Sequence, residues 1–148
     1  MTIDQTAARK SVVVRCTSCE TINRIHLARL PDRPKCARCG HPIALDRPQP
    51  VTDQDFRRMI EGAGVPVLVD FYADWCGPCR AMAPALESFA ASHAGRVLVL
   101  KLDTEANPET PQRFGIRGIP TLIAFRGGQE LRRHVGMADW QVLESLVA

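Results

Sequence analysis

The chain has 148 residues, 45% hydrophobic and 24% charged, with a formal net charge of +3 and six cysteines. No apolar run approaches the roughly 18 residues of a membrane helix, and the opening MTIDQTAARKS lacks the apolar stretch of a secretory signal. The expected setting is therefore the cytoplasm, with no membrane partner; thiols stay reduced there, and paired cysteines bind metals or do chemistry more often than they form structural disulfides.

Charge is uneven along the chain. Residues 1–47 hold nine basic residues (Arg9, Lys10, Arg15, Arg24, Arg29, Arg33, Lys35, Arg38, Arg47) and four acids (Asp4, Glu20, Asp32, Asp46), a net +5, while residues 48–148 hold ten basic and twelve acidic residues, a net −2. The N-terminal cations neither run together nor interleave with aromatics. A solvated surface is the expected reading, and nucleic acid is not an expected partner.

The first element is a short apolar run, Val12-Val13-Val14. Residues 11–45 otherwise offer scattered isoleucines and leucines, too little to fold alone without a metal or disulfides. Four cysteines supply the alternative. Cys16, Cys19, Cys36 and Cys39 follow the pattern C-x2-C-x16-C-x2-C, the spacing of two chelating turns around zinc. Four thiolates would close the coordination of one structural Zn2+, and Gly40 suits a turn that offers backbone N–H groups to sulfur. Two disulfides, or a dithiol that sheds zinc on oxidation, are the alternatives; His26 and His41 are spare ligands. LDRPQPV (45–51) reads as an extended linker, because proline lacks an N–H and disfavours helix before it. The expected division is a zinc-binding module at 1–47 and a larger domain at 48–148.

Beyond the linker, helix and strand alternate. Asp53 is placed to cap a helix whose Phe56, Met59 and Ile60 share one face. VPVLVDFYA (65–73) reads as a buried central strand. A helix from about Cys76 carries Met82, Leu86, Phe89 and Ala90 on its period. RVLVLKLD (96–103) is a second buried strand. Asn107-Pro108 opens another helix as cap and first residue. TLIAF (121–125) and ELRRHV (130–135) flank Gly127-Gly128, a hairpin signal. Trp140, Leu143, Leu146 and Val147 mark a last amphipathic helix. The order β-α-β-α-β-β-α predicts an α/β fold with parallel strands followed by an antiparallel hairpin.

The third C-x-x-C, WCGPC, has other surroundings. Cys76 follows a buried strand and starts a helix, where free N–H groups and the positive helix end favour a thiolate. A thiolate is the attacking species in disulfide exchange, so Cys76 is the candidate nucleophile. Cys79, within one turn, can resolve a mixed disulfide on Cys76. Pro78 falls in the first turn, where a missing N–H costs little, and Gly77 leaves the approach open. Asp70 lies among apolar strand residues. Burial raises a carboxylate pKa and fits it to accept or supply a proton.

VDFYADWCGPC, GIRGIPT and the Gly-Gly turn resemble the thioredoxin family over residues 51–148. The four-cysteine module ahead of them, with CTSCETINRI and KCARCGH, is similar to the bacterial thioredoxin 2 branch. The resemblance implies the thioredoxin fold, a central mixed sheet flanked by helices, preceded by a small zinc-ribbon-like module. It implies that Asp70 is the buried proton acceptor for the resolving cysteine, with Lys101 beside it. It implies that Pro120 is cis and faces the cysteines, and that Ile119 offers its backbone to an extended client segment. Trp75, Gly77, Pro78, Gly118, Ile119 and Gly136 would form a flat docking surface. The implied activity is protein-disulfide reduction by a monomer, recharged by an NADPH-dependent thioredoxin reductase, on disulfide-containing clients, with no organic cofactor bound. Gly77-Pro78 resembles the reducing members. Two departures stand out. Tyr72 replaces a tryptophan common in the family, and no clear strand precedes Asp53. The competing function is a ribbon that recruits a partner or nucleic acid, with the dithiol domain secondary.

Overall fold

The computed structural model describes residues 10–148. The opening stretch, with Asp4 and Arg9 of the charge tally, lies outside the described residues. Strands β1 (Ser11–Arg15) and β2 (Ile22–His26) form an antiparallel pair, followed by a 3-10 turn at Leu27–Asp32. The rest of the chain runs β3 (Gln49–Pro50), α1 (Phe56–Glu61), β4 (Val67–Tyr72), α2 (Gly77–Ser92), β5 (Leu98–Asp103), α3 (Glu109–Arg113), β6 (Thr121–Arg126), β7 (Gln129–Val135) and α4 (Trp140–Val147). The five-stranded sheet has the order β3-β5-β4-β6-β7. Its β3, β5 and β4 are parallel, and β6 and β7 join antiparallel. This is the expected mixed sheet flanked by helices.

The strand missing from the sequence pattern is present but short. Gln49 and Pro50 pair with Leu100 and Lys101, and the Val51 N–H donates to the Lys101 carbonyl at 3.0 Å. Proline is tolerated here because β3 is an edge strand. The opposite edge, β7, is exposed along most of its length and carries Arg132, Arg133 and Glu130, charges that discourage edge-to-edge pairing.

Strand alternation gives the sheet two different faces. Val67, Val69 and Phe71 of β4 point to one face with Leu100, Ile123 and Phe125; Leu68 points to the other, against Met82, Leu86 and Phe89 of α2 and Leu143 and Leu146 of α4. On the first face Phe56, Phe71, Phe114 and Phe125 form a cluster of edge-to-face and tilted ring pairs, with centroids 5.4–6.5 Å apart. Val12, Val13, Val14 and Ile25 of the N-terminal hairpin are part of this same buried cluster, together with Phe56 and Met59. The Gly64 N–H donates to the Ser11 carbonyl at 2.8 Å. The hairpin therefore completes the core above α1.

Two helix starts differ from the sequence expectation. Asp55, not Asp53, precedes α1, and its Oδ1 accepts from the Thr52 N–H at 2.7 Å. Asp53 reaches across the fold to α3, accepting from the N–H groups of Glu109 (3.0 Å) and Thr110 (2.8 Å). Asn107, expected to cap α3, instead accepts from the Asp53 N–H at 3.0 Å and donates to the Asp103 carbonyl at 3.2 Å. The reason is reciprocity: each side chain satisfies a free backbone group on the other segment, which locks α3 to the start of α1.

Contact between hairpin and α1 is close at Gly62. A Cβ built there would lie 2.7 Å from Val13 Cγ2 and 2.8 Å from the Arg58 carbonyl oxygen. Gly62→Ala is expected to lower unfolding free energy by about 1–3 kcal/mol through overpacking. Urea unfolding of the variant beside the parent measures this, and an unchanged midpoint would show that the hairpin does not press on α1.

Candidate functional site

The N-terminal cysteines sit on two matching turns. In the first, the Glu20 N–H donates to the Cys16 carbonyl at 3.0 Å and the Cys16 N–H to the Thr21 carbonyl at 2.8 Å; in the second, the Gly40 N–H donates to the Cys36 carbonyl at 2.9 Å and the Cys36 N–H to the His41 carbonyl at 2.8 Å. The residue closing each turn has positive φ, 68° for Glu20 and 78° for Gly40. Glycine adopts that conformation freely, while Glu20 is also held by Arg15 at 2.8 Å. The Gly40 N–H itself meets a carbonyl, while the turn it closes offers a backbone N–H to sulfur, as expected. The sulfur contacts come from within each turn: Ser18 N–H to Cys16 Sγ and Arg38 N–H to Cys36 Sγ, both 3.4 Å.

The turns bring all four sulfurs within 4.8 Å of one another. Cys16 and Cys39 are 3.6 Å apart, as are Cys19 and Cys36, and all four are free cysteines. His26 and His41 are not part of the cluster. Sequence reasoning missed Asn23, which ties the turns together. It is buried in β2, accepts from the Ala37 N–H at 2.9 Å and donates to the Thr21 carbonyl at 3.1 Å. Its signal was the strand pattern Ile22-Asn23-Arg24-Ile25, which puts a polar side chain on the inward face with Ile25.

Proton affinities within the cluster are split. The Cys39 backbone N–H, then the Asn23 side chain, lower Cys36 to about 6. The His41 backbone pulls Cys39 down, but lost solvation and its sulfur neighbours outweigh it and push Cys39 up to about 11. Four thiolates this close repel one another strongly unless a cation sits among them. A closed, all-sulfur, four-point donor set suits a thiophilic metal ion.

The third pair is built differently. Cys76 is the N-cap of α2, in extended conformation, and its Sγ accepts from the Cys79 N–H at 3.2 Å. Cys76 and Cys79 are joined as a disulfide. The chain leaves β4 at Tyr72, turns at Ala73–Trp75 and enters α2 at Gly77-Pro78, so the strand end and helix start position the sulfurs. Both cysteines are buried, with Ala73, Tyr72 and Ile119 around them. The Ile119–Pro120 peptide is cis, and the Ile119 carbonyl lies 3.8 Å from Cys76 Sγ. The Gly136 N–H donates to the Pro120 carbonyl at 2.8 Å. Gly136 has φ +98°, a conformation that excludes other residues at low cost.

Trp75 is 66% exposed beside the pair, yet its indole is not free: Nε1 donates to Glu105 at 2.6 Å. Glu105 was not a sequence candidate, since nothing local marks a partner 30 residues away. Gly77 and Pro78 are exposed, Gly118, Ile119 and Gly136 half-buried, and Val135 and Met137 add exposed apolar surface on the same loop.

Behind the disulfide lies a cavity of about 550 Å3 whose lining includes Cys79, Asp70, Lys101 and Tyr72. Asp70 pairs with Lys101 across β4 and β5. Its Oδ1 is buried with no hydrogen-bond partner among the described residues. Burial pushes Asp70 up to about 7, against the opposing pull of Lys101. Lys101 is exposed, with Nζ 4.9 Å from the centre of the Tyr72 ring.

A dithiol at a helix N-terminus, facing a cis-proline loop on a mixed sheet, defines a thiol–disulfide oxidoreductase. Comparison with known proteins gives the family. A family model described as Thioredoxin matches residues 47–148, and a zinc-ribbon model described as Thioredoxin 2, N-terminal, matches residues 15–41. The chain belongs to the thioredoxin family and carries the thioredoxin 2 type of N-terminal ribbon. It is 51% identical over 98 residues to a thioredoxin of Alicyclobacillus acidocaldarius subsp. acidocaldarius, covering 66% of this chain and 92% of that one. It is 35% identical over 125 residues to thioredoxin C-3 of Corynebacterium nephridii, covering 84% and 86%. Among solved structures, a point-mutant thioredoxin from Halobacterium salinarum NRC-1 matches with a TM-score of 0.59 and 33% identity, covering 71% of this chain and 91% of that one. No helix among the described residues is long and apolar enough to cross a membrane.

The raised Asp70 pKa carries a sign. A folded value of about 7 against about 3.9 when unfolded means that the native state holds a proton the unfolded state has released. Stability therefore falls as pH rises from about 4 to about 7 and is level above. Asp70→Asn removes this loss. The variant is expected to be more stable at pH 8 by up to ~4 kcal/mol, and to converge with the parent near pH 4. Urea unfolding at pH 4, 6 and 8 checks it; equal stability at pH 8 would mean that Asp70 is not held in a costly charged state.

Proposed function

We propose that the protein is a protein-disulfide reductase whose Cys76–Cys79 pair cycles between dithiol and disulfide. The observation that carries this reading is the Cys76 sulfur at the start of α2, accepting the Cys79 N–H at 3.2 Å beside the cis Pro120 loop. The helix N-terminus favours a thiolate on Cys76. That thiolate attacks one sulfur of a client disulfide; the client S–S bond breaks, a mixed disulfide forms, and one client thiolate leaves. Asp70 then takes the proton of the Cys79 thiol. The Cys79 thiolate attacks Cys76 Sγ, releases the second client thiolate and closes the Cys76–Cys79 bond. Two electrons pass to the client. An NADPH-dependent thioredoxin reductase returns them.

Client recognition follows from the same loop. Ile119, next to the cis bond, offers backbone groups to an extended client segment, as in strand addition. Trp75, Gly77, Pro78, Gly118 and Gly136 supply the surrounding flat surface. Lys101 tunes Asp70 from across the strand pair. The protein acts as a cytoplasmic monomer, with residues 48–148 as the catalytic domain and 1–47 as the metal module.

The metal is zinc, bound by Cys16, Cys19, Cys36 and Cys39. Four sulfurs about 2.3 Å from a central zinc stand roughly 3.8 Å apart, close to the 3.6 Å observed. When bound, zinc supplies a cross-link between the two turns, worth on the order of 10 kcal/mol in small zinc domains. With no open coordination position its role is structural. Strong oxidants that pair the thiolates would expel it, making the module redox-responsive.

The test is direct. Reduced protein is expected to contain one zinc per chain and two readily titrated thiols, and to catalyse dithiothreitol-driven reduction of a disulfide protein. Cys76→Ser should lose at least ~1000-fold in turnover, since no nucleophile then remains. Cys36→Ser should lose zinc and keep the dithiol. Parent-level turnover in Cys76→Ser would sink the enzymatic reading. Retention of zinc through a peroxide titration that oxidises every accessible thiol would sink the redox-responsive one.

A further inference from the structure

The connection from ribbon to sheet does more than span a gap. Gln49 is buried, and its Nε2 donates to the carbonyls of both Ala44 and Arg47, so one side chain curls residues 44–47 around itself. Gln49 lies opposite Leu100, on the sheet face that packs against α1 and the ribbon. One residue on, Pro50 lies opposite Lys101, which lies opposite Asp70. The connection therefore rounds the β3 edge of the sheet, and Asp46, Arg47 and Pro48 emerge as part of the lining of the 550 Å3 cavity that also contains Asp70 and Cys79.

We propose that Gln49 is a positioning residue for Asp70: its carboxamide fixes residues 46–48 as the outer wall of the cavity and so limits water at the acid. The consequence for turnover rests on the reading of Asp70 as proton acceptor given above.

Charge does not account for the wall's effect. Asp46 and Arg47 pair with each other at 3.2 Å, so the wall brings no net charge to the cavity. The other charged groups lining it are Lys101 from β5, Asp74 beyond β4, and Arg80 and Glu87 from α2, with the Tyr72 hydroxyl on β4. None of these belongs to the connection, so the wall does not hold them in place. What changes is solvation. Gln49→Leu keeps the buried volume but cannot donate, and leaves two carbonyls to seek water. Water then reaches Asp70, and its titration midpoint falls toward the ordinary carboxylate range.

The experiment follows the Asp70 carboxyl signal by NMR in full-length, zinc-loaded, oxidised protein labelled at aspartate Cγ. Gln49→Leu is expected to lower the midpoint by about 1 pH unit. Pro48→Gly, which loosens the wall at a half-buried position, should shift it in the same direction. Ile60→Val trims the core on the α1 side without touching the connection and should leave it in place, which separates positioning from general loosening. A midpoint unchanged in Pro48→Gly and in Gln49→Leu overturns the proposal; if Gln49→Leu fails to fold, Pro48→Gly decides alone. An equal shift in Ile60→Val also overturns it. A shifted midpoint together with full turnover in Asp70→Asn upholds the wall and removes the proton role assigned to Asp70.

Discussion

Asp70 occupies the middle of β4, with β5 and β6 hydrogen-bonded on either side and α2 packed over its face. Its Oδ1 meets no donor among the described residues. A carboxyl group in this position is costly to ionise, because desolvation penalises the charge and Lys101 only partly offsets it. A sheet built for stability alone would place an apolar residue here, as it does at Leu68 two positions earlier. The acid shares a cavity with Cys79, which under the proposed mechanism must lose its proton before a mixed disulfide resolves. The proposed function would couple the stability lost at this point to the dithiol, and the apolar packing on both sheet faces offsets the loss.

The ribbon joins that packing. Its four sulfurs hold two turns that could not form a core of their own, while Val12, Val13, Val14 and Ile25 belong to the buried cluster of Phe56, Val69 and Phe125. A four-cysteine hairpin module and a sheet domain thus share one hydrophobic face. The connecting residues are correspondingly constrained. Gln49 gathers them, Pro50 continues into the edge strand, and the side of the sheet that holds Asp70 is partly walled by chain that begins in the ribbon.

Much of this was legible in the sequence, and the boundary of legibility has a physical cause. The buried strand at 67–72, the α2 start at Cys76, the hairpin at Gly127-Gly128 and the paired C-x-x-C spacing are local patterns, fixed by period, capping and chelate geometry. The misread caps are not local. Asp53 finds its partners 56 and 57 residues away, and Asn107 turns back to Asp53. Propensity places such residues near helix starts but cannot say which helix. Glu105 escaped for the same reason, its partner lying 30 residues away, while Gln49 bonds locally but in an irregular turn that no period or capping pattern marks. Asn23 differs: its inward place could be read from strand alternation, and only its role as a tie between two turns required the structure.

Three pairs share the spacing C-x-x-C, and their surroundings determine their different chemistry. In each, an N–H within the motif approaches the first sulfur: Cys79 N–H to Cys76 Sγ at 3.2 Å, Ser18 to Cys16 and Arg38 to Cys36 at 3.4 Å. That contact stabilises a thiolate anywhere, so it does not discriminate. At 16/19 and 36/39 the motif is a lone tight turn, and sulfurs of the other pair lie only 3.6 Å away. Converging lone pairs then favour a shared cation over a bond within either turn. At 76/79 the motif runs into a 16-residue helix, which draws the two sulfurs of one pair together, with a buried acid behind and a cis-proline loop in front. The other four cysteines cluster among themselves, which leaves this pair for thiol–disulfide exchange. The spacing supplies reach; the element that follows the second cysteine determines whether the sulfurs converge on a metal or on each other.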